Sequence, residues 1–115
     1  MQVQVNTDVN IEGHAALEAQ VAAVVESVLE RLRERITRVE VHLSDQNAGK
    51  PGPQDKRCVV EARLEGRQPI AATDVAPTVD QAVRGATGKL MRLIDSQLGK
   101  LASAERSKVG PGLVE

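Results

Sequence analysis

At Ile36 the spacing of apolar residues changes, and that change limits the folds open to this chain. Before it, Leu17, Val21, Val24, Val25, Val28, Leu32 and Ile36 recur at helical spacing. They form the stripe of an amphipathic helix expected from about Gly13 to Arg35. Its valines are poor helix formers, so packing rather than propensity must hold it. After Ile36, "TRVEVHLS" alternates. Val39, Val41 and Leu43 point one way; Arg38, Glu40, His42 and Ser44 point the other. That is a strand with one wet face. "KRCVVEARLEG" repeats the pattern, with Cys58, Val60, Ala62 and Leu64 set against Arg57, Val59, Glu61, Arg63 and Glu65.

The flanking segments complete the pattern. "QVQVNT" reads as a short first strand through Val3 and Val5, "DQNAGKPGPQ" as a loop, "GRQ" as a turn and "PIAATD" as a last strand. "PTVDQ" opens a second helix, with Thr78 as its cap and Gln81 at the capping-box position. Its stripe is Val79, Ala82, Val83, Ala86, Leu90, Leu93, Ile94, Leu98 and Leu101. The order is β-α-β-β-β-α. An α+β fold follows: a four-stranded sheet with two helices packed on one face. With 115 residues the chain suits one domain, expected over residues 1–102, with a flexible tail over residues 103–115.

Composition narrows the chemistry. The chain has no Phe, Tyr or Trp, so its core must be aliphatic and no base can stack on a ring. Its one cysteine, Cys58, lies in the core-facing register; it can form no internal disulfide and completes no zinc pattern. His14 and His42 lack partners at metal-ligand spacing, and Glu30 and Glu34 are accounted for by Arg33 and Arg35 on the same helix surface. "GKPGP" is not a phosphate-binding loop. No cofactor, metal or catalytic constellation is indicated, so the chain reads as a binder rather than an enzyme. No apolar run of about 18 residues and no signal-peptide pattern is visible, which makes the cytoplasm the expected compartment.

The net charge of −1 is unevenly spread. Up to Ile36, Arg31, Arg33 and Arg35 are outnumbered by Asp8, Glu12, Glu18, Glu26, Glu30 and Glu34. From Thr78 onward, Arg84, Lys89, Arg92, Lys100, Arg106 and Lys108 outnumber Asp80, Asp95 and Glu105. Attraction for a polyanion should therefore lie toward the C-terminal helix.

The topology, with "ALEAQV", "RVEVHL", "RCVVEARLEG" and above all "DQAVRGATGKLMRLIDSQL", resembles the ribosome hibernation promoting factor family. Its members are also called ribosome-associated inhibitors or subunit interface proteins. Lys89, Leu90 and Arg92 match the family's Lys-Leu-x-Arg pattern, and the likeness covers about residues 1–101. The resemblance implies a short-form, stress-linked factor that binds the small ribosomal subunit and represses translation. Lys89 and Arg92 would then contact ribosomal RNA phosphates and Lys100 would extend the row. Arg84, and Arg57 and Arg63 on the open sheet face, are further candidates. Membrane and DNA are not implied as partners; a homodimer is open. The first helix has no basic residue before Arg31, unlike the family's usual pattern. That leaves an alternative, a diverged protein–protein interaction module on the same fold. Gly85, Gly88 and Gly99 interrupt the last helix, either for close backbone approach or as tolerated weak points.

Overall fold

The computed structural model describes residues 1–8, 14–45 and 56–109, with side chains omitted for residue 14 and residues 100–109. Strand β1 (Gln2–Thr7) leads to helix α1 (His14–Val28), a 3₁₀ turn (Glu30–Leu32), strands β2 (Ile36–Asp45), β3 (Lys56–Leu64) and β4 (Ile70–Ala76), and helix α2 (Val79–Val109). The strands lie in the order β1-β2-β3-β4. β1 runs parallel to β2, while β2–β3 and β3–β4 are antiparallel. A parallel pair needs a crossover rather than a tight turn, and α1 supplies it. The α+β architecture is as the sequence pattern implied.

The alternation holds residue by residue. Val39, Val41 and Leu43 of β2 are buried, as are Cys58, Val60, Ala62 and Leu64 of β3. Register places Val41 opposite Val60 and Leu43 opposite Cys58, so one continuous apolar face results. On it α1 lays Val21 and Val25, and α2 lays Ala82, Val83, Ala86, Leu90 and Ile94. α1 packs beside β1 and α2; α2 packs over β3 and β4. At the start of α2 the Gln81 N–H donates to Thr78 Oγ1 at 3.1 Å, so Thr78 is the cap that the sequence indicated.

Three details depart from expectation. First, α1 stops at Val28, a turn and more before Arg35. Bonds from Leu32 N–H to Leu29 O (2.8 Å) and from Arg35 N–H to Leu32 O (2.9 Å) tighten the chain to three residues per turn. This sets Leu29 and Leu32 into the core and starts β2 at Ile36, the residue that closed the helical stripe in sequence. Second, Leu93 is 44% exposed. Thr87 is buried on the core side of α2, its hydroxyl satisfied by donating to Val83 O at 2.6 Å. Third, β4 continues through Val75 and Ala76 before Pro77. The Leu101 side chain lies outside the described residues, as do residues 46–55 of the expected loop and 110–115 of the expected tail.

One ion pair ties the turn after α1 to α2. Arg31 donates through both Nη atoms to Asp95, at 3.1 and 2.7 Å. That hydrogen bonding, reinforced by the guanidinium charge, holds the Asp95 carboxyl below the usual carboxylate range.

Leu90→Ala should cost about 2–5 kcal/mol in urea unfolding, whereas Leu93→Ala should stay within about 0.5 kcal/mol of the parent. A depressed carboxyl stabilises the folded state above its unfolded pKa, and that contribution is lost as pH falls through the folded value. Asp95→Asn should therefore melt slightly below the parent at neutral pH, with the gap closing below about pH 4.

Candidate nucleic-acid interface

The candidate cations divide into those already held by the protein's own carboxylates and those that are not. Arg84 stands on the exposed side of α2, and its Nε donates to Asp80 at 3.1 and 2.9 Å, one turn back. Lys89 reaches across to the last strand, where Nζ donates to the Thr73 carbonyl and to Asp74 Oδ1, both at 3.2 Å. Arg92 is exposed, and among the described residues it has no ion-pair or hydrogen-bond partner. Lys100 continues the helix as backbone; its side chain lies outside the described residues.

Arg92, Lys89 and the exposed Leu93 border a shallow groove of about 380 Å³ with Ala72 and Thr73. One wall is α2 and the other is β4, the edge strand of the sheet. A larger cavity, about 850 Å³, opens further along, between the β3–β4 turn and α2. Its border mixes Glu34 and Glu65 with Arg35 and Arg67, so its size does not make it the better polyanion site. Gly66 turns the chain there with φ 71°, the left-handed region that glycine enters without strain.

The open sheet face interleaves both signs of charge, and opposite charges on neighbouring strands can stand opposite each other. Register instead sets Arg63 opposite Arg38 and Glu61 opposite Glu40. Like charges directly opposite repel, and the ion pairs run along the strands. Arg63 Nε lies 3.9 Å from Glu61, Arg38 Nε lies 3.5 Å from Glu40, and His42 Nε2 lies 3.7 Å from Glu40. Arg38 also donates to Gln4 Oε1. Arg57 faces Ser44 and Val75 and, among the described residues, has no ion-pair partner. It lies across the sheet from the helix-covered face that carries Arg92, and the two free guanidiniums do not form one patch.

α1 adds no positive wall. Its exposed positions include Ala15, Ala16, Ala19, Ala23 and Glu26. Beyond it Arg33 is engaged with Glu30 at 3.3 Å and Arg31 with Asp95. Burial, with the nearby Asp74 charge, pushes the Cys58 thiol up to about 12, so no thiolate nucleophile forms at neutral pH. Among the described residues, no group of three or more His, Cys, Asp or Glu could hold a metal ion. No helix there is long and apolar enough to cross a membrane.

The residue that sequence reasoning missed is Asp74. It sits on the helix-facing register of β4, between Ala72 and Ala76 and opposite Cys58. Its carboxylate fills the space over Gly85, where a Cβ would overlap its oxygen and lie 2.8 Å from its Cγ. Close approach at Gly85 is therefore internal. A Cβ at Gly88 would make only an ordinary contact with Arg92, and one at Gly99 would meet nothing. The alternation of β4 held the signal, since Asp74 shares the parity of the two buried alanines.

The model of the Sigma 54 modulation protein / S30EA ribosomal protein family matches residues 4–102. No curated protein sequence matches the chain. Among solved structures, a ribosomal subunit interface protein from Coxiella burnetii aligns with TM-score 0.56 and 16% identity, covering 90% of this chain and 99% of that one. The N-terminal domain of Thermus thermophilus Protein Y aligns with TM-score 0.58 and 21% identity, covering 82% and 96%. At these identities the two structures are alike in fold.

Helix propensity favours Ala over Gly by about 1 kcal/mol in an exposed helix interior. Gly88→Ala and Gly99→Ala should therefore raise the melting temperature. Gly85→Ala should lower it, because the Asp74 carboxylate must turn away and release Lys89. Thermal denaturation of the three variants checks the order; a stabilised Gly85→Ala would remove the packing argument.

Proposed function

Because the chain belongs to the Sigma 54 modulation protein / S30EA ribosomal protein family, we propose that it is a ribosome-associated stress factor. It acts in the cytoplasm as a binder, docks on the small ribosomal subunit and represses translation. The single observation that carries this reading is the family match over residues 4–102. Topology supports it, and so does the groove where the free guanidinium of Arg92 stands beside Lys89.

In this reading Arg92 leads. Among the described residues it has no internal ion pair to give up on meeting a phosphate, whereas Arg84, Lys89 and Arg63 must exchange Asp80, Asp74 and Glu61. Lys100 extends the row along α2, and Arg57 acts separately from the open sheet face. With few uncommitted cations, attraction to RNA rests on few released counterions, and affinity should be modest and salt-sensitive.

A second reading, a protein–protein interaction module on the same fold, is favoured by the small and acidic exposed side of α1. Apolar docking would persist as salt rises; phosphate-led binding would not.

Co-sedimentation with isolated small subunits, followed through a tag because the chain lacks aromatic absorbance, tests the first reading. The parent should bind saturably and lose affinity as salt increases. Arg92→Glu should bind at least about tenfold more weakly, since a favourable phosphate contact becomes a repulsion, with its melting temperature unchanged. Equal binding by that variant would overturn the site, and no binding even at low salt would favour the second reading.

A further inference from the structure

We infer that Asp74 sets the strength of the basic edge by withholding Lys89 from anionic partners. The inference rests on the ribosome-binding reading and assigns a role to a residue outside the candidate RNA contacts.

The arrangement is built from three positions. Asp74 projects from the helix-covered side of β4, where its neighbours Ala72 and Ala76 are buried. Gly85 lies against it on α2, and only the absence of a side chain there leaves room for the carboxylate. Lys89, one helical turn beyond Gly85, brings its ammonium back to Asp74 Oδ1 and to Thr73 O. Two of the three ammonium protons are thereby committed within the protein.

Exposure makes this a competition rather than a permanent bond. The Lys89 side chain is 49% exposed and that of Asp74 29%. A phosphate entering the groove beside Arg92 finds Lys89 within reach, but must draw it from a carboxylate and leave that carboxylate facing the anion. Asp74 opposes binding twice, by occupying the cation and by repelling the ligand. Arg92, in the same groove and without a partner among the described residues, has no carboxylate to exchange. The groove thus holds one cation ready and one in reserve.

The test compares the parent, Asp74→Asn and Asp74→Asn/Lys89→Gln in titrations of isolated small subunits at several salt concentrations. Thermal melting confirms that each is folded, and Asp74→Ala serves as a second single variant. Asp74→Asn should bind about two- to fivefold more tightly, the range that an exposed ion pair spans. Its plot of log affinity against log salt should steepen by about 0.7–0.9, the increment for one further phosphate contact. In the double variant the steepening should vanish and the gain in affinity should shrink to the part due to lost repulsion. A steepening and a gain that persist undiminished without Lys89 would reflect removal of one negative charge alone and overturn the inference. Unchanged affinity and slope in both single variants, with the parent binding, would overturn it and leave the ribosome reading standing. No binding by any of the proteins would overturn both.

Discussion

The close approach of α2 to the sheet governs the rest of the molecule. Without an aromatic ring to bridge the layers, the interior must be filled by aliphatic groups at near-crystalline density. The chain meets this with small residues on both sides: Ala62, Ala72 and Ala76 on β3 and β4, and Ala82 and Ala86 on α2, all buried. Between them stand Val60, Val83, Leu90 and Ile94. The same closeness forbids a side chain at residue 85 and presses a carboxylate of β4 against the helix backbone. Core packing and the electrostatics of the basic edge are thus parts of one arrangement.

Much of the fold was legible because it rests on periodicity, which the chain displays openly. The inward residues of β2 and β3 are those the alternation selected, and Thr78 caps α2 through the expected contact. Other features depended on information that spacing does not carry. Ile36 fits a helix stripe and a strand equally well, and the 3₁₀ turn decides between them. Leu93 lies within the apolar arc of its helix, yet it borders the open groove beside the edge strand β4 and stays exposed. Thr87 can enter the core because its hydroxyl finds an acceptor at Val83 O.

The candidate site was less legible, since a count of cations says nothing about which are already engaged. Arg84, Lys89 and Arg92 look equivalent along the sequence. Among the described residues two have carboxylate partners and one does not. Asp80 could be anticipated from its spacing of four on the same helix. Asp74 could not be matched to Lys89 without knowing that β4 lies alongside α2. On the sheet, the partners of Arg63 and Arg38 depend on a register that sets like charge against like. The slight negative charge of the whole protein therefore understates Arg92 and overstates its paired neighbours.

The overlap between residues 74 and 85 also bears on how sequences of this kind can diverge. A methyl group at position 85 obliges the carboxylate at position 74 to turn away, whereas a smaller residue at position 74 can be accepted while glycine remains. Substitutions at the two positions are therefore non-additive, and their order matters. A lineage that first lost the acid would be free to strengthen the helix later. One that tried the helix first would meet a clash. Descendants should differ at both positions, or at position 74 alone, more often than at position 85 alone.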